Sequence, residues 1–342
     1  MMWRVFLSHT PDEIGPVFPH QVLARLQSIA EVTVNTSSRH LQPADLAEVC
    51  RDMDAVVTEW NTGADAGVFE RCPRLKVFAR CAAIAQNVDL AAATRAGVIV
   101  IASPPQFTRP MVELIVGLMI SLAYGVWEHH VRVQREGVLT RSEGVGFELA
   151  GKTVGVVGLG RIGRALAGAT AALGMRVLAS DPHVTDHDTP ATLVPLRQLL
   201  QESRFVVVLV RFGPQTRGLI GAAELACMRP DAFLINPSQG GIVDDAALAE
   251  VLRSGRLAGA AVDVFMDEPD IRQNPLWSAP RTIFTPHIAG HSQEGYRRAA
   301  LAAVEGLEAV FRGRLPPVVA NPEVLQRLRA SHPRWQDTLP KG

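Results

Sequence analysis

Three glycines within six residues, Gly158, Gly160 and Gly163, form a GxGxxG pattern in the segment GLGRIG. The pattern ends a run typical of a strand, TVGVVGLG, and opens a run typical of a helix, RIGRALAGATAALG. In that context the first glycine permits a tight turn, the second lets the backbone approach a pyrophosphate, and the third lets the helix pack close to the sheet. The spacing therefore predicts a dinucleotide-binding turn.

The residues around this turn indicate which dinucleotide it binds. The backbone N–H groups of Arg161 and Ile162 begin the helix and offer its positive end to an anion. The next predicted strand ends at Asp181, close to the separation of about 20 residues that such units show. A carboxylate there accepts hydrogen bonds from ribose hydroxyls and repels a 2′-phosphate, so we predict NAD rather than NADP. The alternative is that Asp181 only begins the polar loop DPHVTDHD and binds no ligand.

Short apolar runs alternate with helical patterns along the first hundred residues. Strands joined through helices at this spacing form parallel sheets, and buried parallel strands are apolar throughout, as most of these are. The predicted strands are 3–8, 31–35, 54–60, 75–80 and 97–102, and the predicted helices are 19–30, 43–52 and 88–97.

A second series of the same kind begins after FELAGK. Two such series predict an α/β fold with two doubly wound parallel sheets. In this series the predicted strands are 153–160, 175–181, 205–212, 232–238, 257–265 and 282–287, and the predicted helices are 161–174, 244–255 and roughly 293–312.

Composition and charge limit the kinds of partner. The 342 residues, 47% of them apolar, are enough for two domains with hydrophobic cores. Because 34 basic residues balance 34 acidic ones, neither nucleic acid nor an anionic membrane is expected as the main partner. The four cysteines, Cys50, Cys72, Cys81 and Cys227, form no CxxC pair, so we expect neither a zinc site nor a disulfide framework. Scattered reduced cysteines are typical of a cytosolic enzyme.

The most apolar stretch of the chain is MVELIVGLMISLAYGVW, residues 111–127. It contains Glu113 and is shorter than the roughly 20 residues that a bilayer span needs. We interpret it as a buried helix at a domain or subunit interface. The N-terminal residues MMWRVFLSHTPDEIG lack the long apolar run of a signal peptide.

An ordered run of motifs resembles the D-isomer-specific 2-hydroxyacid dehydrogenases, the family that contains phosphoglycerate, glycerate and D-lactate dehydrogenases. The specific segments are VGVVGLGRIG, LINPSQGGIVDDAAL, GRLAGAAVDVFMDEP and NPLWSAPRTIFTPHIAG. A looser likeness extends over LKVFARCAAIAQNVDLAAATRAGVIV. Together they cover most of the chain.

The resemblance implies a discontinuous architecture. A flavodoxin-like substrate domain would comprise residues 1–103 and 290–342, and a Rossmann NAD-binding domain, residues 104–289, would be inserted into it. The apolar helix would cross between the domains and pack in a homodimer, and the active site would lie in the cleft. The implied protein is a cytoplasmic oxidoreductase.

The resemblance also assigns roles to single residues. His287, in TPHIAG, matches the family's acid/base, and Glu268, in DEP, matches the carboxylate that raises its pKa, although Asp267 competes for that role. Asp263, in AVDVF, matches the residue at the nicotinamide end of the cofactor. The remaining residues that we expect at the cofactor are Pro237, Ser238, His287 itself and Gly290.

The pattern breaks where the family carries an Arg-Gly pair, whose arginine grips the substrate's carboxylate and carbonyl oxygen. Here the pair is Gln239-Gly240. Arginine is a charged planar fork, whereas glutamine offers one neutral NH2 group and an acceptor. The weaker bond should slow reduction of an ordinary 2-oxo acid by about one to three decades. We therefore expect Gln239 in the catalytic set with an altered substrate choice.

A second substrate anchor also differs. The family's Gly-x-Gly turn corresponds to CAAIAQNVD, in which Ala82 and Ile84 replace the glycines around Ala83, and Leu209 and Arg211 stand where the family shows His-x-Pro. Replacement cations for the substrate would be Arg80, Arg109 and Arg211, although each is also explained as a surface or cleft-edge charge. Trp60, after the third strand, either lines the substrate pocket or has a packing role only. These substrate residues are the weakest expectations.

Two histidine patterns invite a metal interpretation. HVTDH places histidines four residues apart at 183 and 187, and His129 and His130 are adjacent. A charged loop after the second cofactor strand explains the first pattern better. We expect no metal site.

Three functions remain open from the sequence. The leading one is an NAD-dependent oxidoreductase that acts on a 2-hydroxy or 2-oxo acid, or on a related alcohol or ketone, with His287 handling the proton. The second is an enzyme that keeps NAD bound and performs a non-redox elimination, hydration or hydrolysis. The third is a non-catalytic, NAD-responsive binding protein.

Overall fold

A computed structural model describes residues 2–82, 85, 87–102, 104–137 and 144–331, without the side chains of residues 104, 105 and 329–331. The chain divides into two compact units. The five-stranded unit comprises Met1–Phe107 and His291–Gly342, and the seven-stranded unit is Thr108–Gly290. The boundaries fall after residues 107 and 290. The sequence predicts them after residues 103 and 289.

The five-stranded unit begins with strands and helices in alternation. They are β1 Trp3–Leu7, α1 His20–Ile29, β2 Ala30–Val34, α2 Pro43–Val49, β3 Ala55–Thr58, α3 Ala66–Arg71, β4 Val77–Arg80, α4 Leu90–Ala96 and β5 Ile99–Ile101, with short 3-10 helices at Pro11–Glu13 and Pro104–Phe107.

The seven-stranded unit follows, and the chain then returns to the first unit for its last two helices. The elements of the seven-stranded unit are α5 Thr108–Tyr124, α6 Val126–Glu136, β6 Thr153–Val157, α7 Arg161–Ala172, β7 Arg176–Ser180, β8 Thr192–Leu193, α8 Leu196–Glu202, β9 Phe205–Val208, α9 Ala222–Cys227, β10 Phe233–Asn236, α10 Asp245–Arg253, β11 Gly259–Val262, a 3-10 helix at Pro275–Ser278 and β12 Thr282–Phe284. The returning helices are α11 Gln293–Phe311 and α12 Val324–Ser331.

Both sheets are parallel, which confirms the predicted α/β fold class. The small sheet has the order β2-β1-β3-β4-β5, and the large sheet has the order β12-β11-β10-β9-β6-β7-β8. All four residues of β3, β4, β9, β10 and β11 are buried. Helices cover both faces of such a sheet, so apolar runs rather than alternating patterns mark its strands.

The apolar stretch 111–127 is not one helix. α5 ends at Tyr124, Gly125 adopts a left-handed φ of +58°, and α6 continues at an angle of 59°. Val112, Ile115 and Met119 of α5 lie in the core of the seven-stranded unit. Among the described residues no single helix is long and apolar enough to cross a membrane, and the bent pair α5–α6 has that length and composition only when the two are combined.

Candidate active site

Five predicted residues follow strands of the large sheet directly or within a few residues. Gly158 follows β6, Asp181 follows β7, Gln239 follows β10, Asp263 follows β11 and His287 follows β12. Because the strands are parallel, their carboxyl ends lie at one edge of the sheet. Ligands of doubly wound sheets bind at this edge, so it is the candidate active site.

The glycine-rich turn has the backbone that a bound pyrophosphate needs. Gly158 has a φ of +100°, and a Cβ there would lie 2.9 Å from the carbonyl oxygen of Leu209. A Cβ on Gly163 would overlap the carbonyl oxygen of Gly158, whereas one on Gly160 would meet no atom within 4 Å. Gly160 is the N-cap of α7, ahead of Arg161 and Ile162. The turn therefore presents an uncovered backbone at a helix start, which fits an anion.

Asp181 is held in place by the backbone. Its Oδ2 accepts a hydrogen bond of 2.8 Å from the N–H of Leu159, inside the glycine-rich turn, and its Oδ1 accepts one of 2.9 Å from the N–H of His183. A carboxylate has about four lone-pair sites, so two acceptor positions remain for ribose hydroxyls. The side chain is thus positioned beside the pyrophosphate turn.

His287 and Glu268, which the sequence predicts as an acid/base pair, lie in contact with each other. His287 Nδ1 lies 2.9 Å from Glu268 Oε2, and Glu268 Oε1 accepts a 2.8 Å hydrogen bond from the backbone N–H of Phe265. Both side chains are about one-third exposed. Because Nδ1 is bound to the carboxylate, the Nε2 atom is the one that serves a substrate.

Asp263 fixes the loop that carries His287. Its carboxylate accepts hydrogen bonds from the backbone N–H groups of Ile288 and Ala289, each 2.9 Å, and from the hydroxyl of Thr285. Its own carbonyl oxygen accepts the N–H of His287 at 2.9 Å. His287 has a left-handed φ of +56°, and these bonds hold that strained backbone. Asp263 therefore positions the histidine, a role that its sequence motif did not reveal.

Charges in the pair shift both pKa values toward the ionised forms. The hydrogen bond to Glu268 raises the pKa of His287, burial opposes that effect, and the charges of Glu268 and Asp263 add to it. Burial by itself raises the pKa of Glu268, but the hydrogen bonds from His287 and Phe265 outweigh it and the pKa falls below its ordinary value. The imidazolium is therefore retained to higher pH than in a free histidine.

Glu268→Gln should lower the pKa of His287. The glutamine keeps the shape of the side chain but removes the charge that stabilises the imidazolium. If His287 donates the proton in a ketone reduction, as the sequence predicts, the reaction is lost as pH rises through that pKa. We expect the alkaline limb of the reduction profile to move to lower pH, measured as kcat/KM against pH.

The matched control is Asp267→Asn, because Asp267 is exposed and its nearest described donor is Asn274 at 3.5 Å. Its profile should coincide with that of the wild type. A profile that moves with Asp267→Asn and not with Glu268→Gln would assign the carboxylate role to Asp267 instead.

Gln239 is oriented by a contact that arginine could not make. Its Oε1 accepts a 2.6 Å hydrogen bond from the backbone N–H of Phe212, after β9. Arginine has no acceptor atom. With the oxygen engaged, the NH2 group is the donor that Gln239 offers to a ligand. A Cβ on the following Gly240 would overlap the backbone of Phe265 and Met266, so the pair is fixed against the loop after β11.

The other residues predicted at the cofactor lie in the loops after β10 and β12. Pro237 is buried and Ser238 partly buried after β10, where the N–H and hydroxyl of Ser238 donate to Asn236 Oδ1 at 3.3 and 3.0 Å. Gly290 closes the loop whose N–H groups bind Asp263 and is partly buried. Sequence reasoning missed Phe212 and Thr285, since a backbone donor leaves no residue-type signal and a single threonine is not distinctive.

The predicted substrate residues have mixed positions. Arg80 is 1% exposed and donates to the carbonyl oxygens of Thr62, at 3.1 Å, and Trp60, at 2.8 Å, so it holds the loop after β3. Trp60 is 39% exposed, with the Arg80 guanidinium 5.9 Å from its ring centre. Ala82 is buried, and Ala83 and Ile84 lie outside the described residues. Arg109 and Arg211 are exposed.

The doubly wound large sheet with its phosphate-binding turn defines a dinucleotide-binding protein. Residues 116–289 match the family model described as "D-isomer specific 2-hydroxyacid dehydrogenase, NAD binding domain". A crystal structure of a protein from Thermus thermophilus is 32% identical, with a TM-score of 0.83 over 92% of this chain and 99% of that one. The chain therefore belongs to the D-isomer specific 2-hydroxyacid dehydrogenase family, as the motifs indicated, and the matched residues are its NAD-binding domain.

Curated relatives of the chain carry two enzyme names. The glyoxylate reductase of Pyrococcus furiosus is 33% identical over 322 residues, which is 92% of this chain and 96% of the relative. The D-3-phosphoglycerate dehydrogenase of Methanocaldococcus jannaschii is 33% identical over 300 residues, 86% of this chain. The match spans only 56% of that dehydrogenase's length.

Proposed function

We propose that the protein is an NAD-dependent oxidoreductase that transfers a hydride between nicotinamide and a 2-hydroxy or 2-oxo acid, or a related small alcohol or ketone. The observation that carries the proposal is the His287–Glu268 pair, 2.9 Å apart, at the same sheet edge as the glycine-rich turn. A pyrophosphate-binding turn alone serves many reactions, whereas an imidazole with a raised pKa beside it supplies the proton that ketone reduction consumes.

The residues of the site divide the work. The turn for the pyrophosphate is shaped by Gly158, Gly160 and Gly163. Asp181 accepts hydrogen bonds from the ribose hydroxyls. When bound, the nicotinamide supplies or takes up the hydride at its C4 atom. His287 donates a proton through Nε2 to the substrate oxygen during reduction and accepts it during oxidation. Glu268 stabilises the imidazolium, so that the proton is available near neutral pH.

Gln239 sets the substrate preference in this proposal. A neutral NH2 donor binds a carbonyl oxygen with about 0.5–1.5 kcal/mol, against about 1.5–3 kcal/mol for a charged donor on a carboxylate. When glutamine replaces arginine, a substrate with a weakly charged or uncharged group beside its carbonyl loses less binding energy than a simple 2-oxo acid does. Uncharged ketones are therefore the favoured substrate class.

Asp181 should determine the cofactor choice. Asp181→Asn removes the charge but keeps one acceptor oxygen, so the variant loses a charge-assisted bond to the ribose and the repulsion of a 2′-phosphate. We expect the preference for NADH over NADPH, taken as the ratio of kcat/KM values, to fall by about ten- to a hundredfold. Asp186→Asn, an exposed carboxylate in the same loop, is the control and should leave the ratio unchanged. An unchanged ratio in Asp181→Asn would contradict the assignment.

We also propose that the protein is a cytoplasmic homodimer with no other obligatory partner than its small-molecule substrate. Apolar side chains on α5 and α6 that are 41–53% exposed support an interface there, namely Ile120, Tyr124, Val126 and Trp127. The three buried free cysteines are consistent with a reducing compartment.

The dimer has a direct test. Trp127→Glu places a charge on this face, and we expect light scattering during size exclusion to give the mass of one chain instead of two. Trp277→Glu changes an equally exposed tryptophan away from α5 and α6 and should leave the mass at two chains. A wild-type mass of one chain would contradict the proposal.

The test of the function itself is NADH oxidation by the purified full chain across a panel of 2-oxo acids and uncharged ketones. Turnover of at least one compound well above the rate without protein is the expected result. Tight NAD binding with no turnover across the whole panel would favour the non-redox alternative.

A further inference from the structure

Three side chains with metal-binding atoms converge in the five-stranded unit. Glu13 ends the 3-10 helix after β1, His40 lies in the loop after β2, and Glu59 directly follows β3. These strands are neighbours in the order β2-β1-β3, so their carboxyl ends bring the three loops together. One ligand atom from each residue lies within 4.8 Å of the others.

The imidazole of His40 is placed between the two carboxylates without bonding to either. Its Nδ1 is buried, lies 3.4 Å from Glu59 Oε1 and 3.9 Å from Glu13 Oε2, and makes no hydrogen bond among the described residues. A good N–H···O bond is 2.7–3.2 Å long. Two ligands bound tetrahedrally at 2.0–2.1 Å lie roughly 3.4 Å apart. The 3.4 Å spacing is that of two ligands of one cation. His40 Nε2 lies 3.2 Å from Asn61 Nδ2, so ligation through Nδ1 requires the ring tautomer with its proton on Nε2 and the Asn61 amide turned to accept that proton.

Backbone donors hold both carboxylates in place. The two oxygens of Glu59 accept the N–H groups of Asn61 and Thr62, the latter at 2.9 Å. Glu13 Oε2 accepts the N–H of Thr10 at 2.8 Å. The hydroxyl of Thr10 also donates to Glu13 Oε2, at 3.2 Å, so Glu13 Oε1 and the two Glu59 oxygens are the atoms that keep lone pairs for a ligand. Such hydrogen bonds from outside a metal site orient the ligands. The carboxylates are therefore preorganised.

The charges of the cluster leave room for a cation. Glu59 is 3% exposed, and a buried carboxylate is costly unless positive charge compensates it. Arg80 attracts Glu59, and its guanidinium donates hydrogen bonds to the carbonyl oxygens of Thr62 and Trp60. Two glutamates thus face one arginine and an imidazole. With the imidazole neutral, the two carboxylates and the arginine carry a net negative charge, so the cluster attracts a cation.

A second imidazole beside the cluster is an independent sign. His9, which follows β1, is 0% exposed, and neither ring nitrogen has a hydrogen-bond partner among the described residues. Buried polar groups without partners are rare in native structures and often mark a bound water or ion.

We propose that Glu13, His40 and Glu59 bind one divalent transition-metal ion of the zinc and manganese class. One imidazole nitrogen with two carboxylate oxygens suits these ions better than Ca²⁺ or Mg²⁺, which prefer oxygen ligands alone. Three protein ligands leave at least one coordination position for water or for an oxygen of a bound molecule. The site lies in the five-stranded unit and does not depend on the proposed hydride transfer.

The test is Zn²⁺ and Mn²⁺ titration of chelator-treated full chain by calorimetry, with elemental analysis of the saturated protein. We expect one equivalent bound, and a loss of affinity of about tenfold or more in His40→Ala and in Glu59→Gln, since even an outer partner of a metal site contributes that much. The matched controls are His20→Ala and Glu48→Gln, an exposed histidine and an exposed glutamate of the same unit, which should bind as the wild type does.

Glu13→Gln keeps the acceptor for Thr10 at a partly exposed position and serves as the variant that retains the fold. It should also bind the metal more weakly, with an unchanged far-UV circular dichroism spectrum. Co²⁺ added to the wild type should give a visible absorption band that His40→Ala lacks. No binding by the wild type, binding of Mg²⁺ or Ca²⁺ alone, or equal loss in the controls would overturn the proposal.

Discussion

His287→Asn is expected to lower kcat/KM for ketone reduction by about 10²–10⁴-fold, the usual contribution of a positioned acid/base. Asparagine is the appropriate replacement because it tolerates the left-handed backbone of residue 287, which alanine does not. It cannot deliver a proton at neutral pH. Affinity for NADH, measured by fluorescence titration, should stay within about twofold of the wild type, because the glycine-rich turn is unchanged.

His183→Asn is the control for the loss of a histidine at the same sheet edge. It is exposed in the loop after β7 and should retain full activity. Activity of His287→Asn within a few-fold of the wild type would remove His287 from the mechanism. Loss of NADH affinity in the same variant would point to a cofactor-binding role instead.

Gln239→Arg should have the second largest effect. It restores a charged fork, so kcat/KM for simple 2-oxo acids should rise about ten- to a hundredfold. Hydrogen-bond strengths alone would allow a gain of about one to three decades. We expect the lower part of that range, because arginine cannot accept the hydrogen bond that the Phe212 N–H donates to Gln239. Uncharged ketones should gain nothing. The measurement is steady-state kinetics on matched pairs of 2-oxo acids and ketones.

Gln239→Lys separates charge from geometry. Lysine carries the charge as a single point and cannot bind two oxygens in one plane. If the fork matters, lysine should recover only part of the gain. A Gln239→Arg variant that is slower on 2-oxo acids and on ketones alike would show that the rest of the site no longer accepts the ordinary substrate.

The fold could be read from the sequence because its strands are covered on both faces. Segments such as AVVT in β3 and FLIN in β10 are buried at every position, so their apolar runs stand out from the helices between them. Helices α3 and α9 were not predicted, because six residues are too few to show a helical period. The helix break at Gly125 was not predicted, because a glycine inside an apolar helical pattern does not by itself indicate a break.

The parts of the candidate site that lie within one short stretch of sequence were predictable. The GxGxxG turn and Asp181 belong to one strand-helix-strand unit, and spacing identifies them. The contact between Phe212 and Gln239 joins residues 27 apart through a backbone N–H and leaves no trace in residue types. The histidine patterns in the sequence are local, whereas Glu13, His40 and Glu59 of the proposed metal site come from three separate loops. Only the strand order brings such residues together.

The most direct test of the account is whether hydrogen passes from the cofactor to the substrate carbon. NADH carrying deuterium at C4 would be incubated with the full chain and the compound that it turns over, and the product analysed by mass spectrometry and NMR. We predict one deuterium per product molecule at the former carbonyl carbon, with one NAD released. Product that contains no deuterium, formed without consumption of NADH, would contradict hydride transfer and establish non-redox chemistry instead.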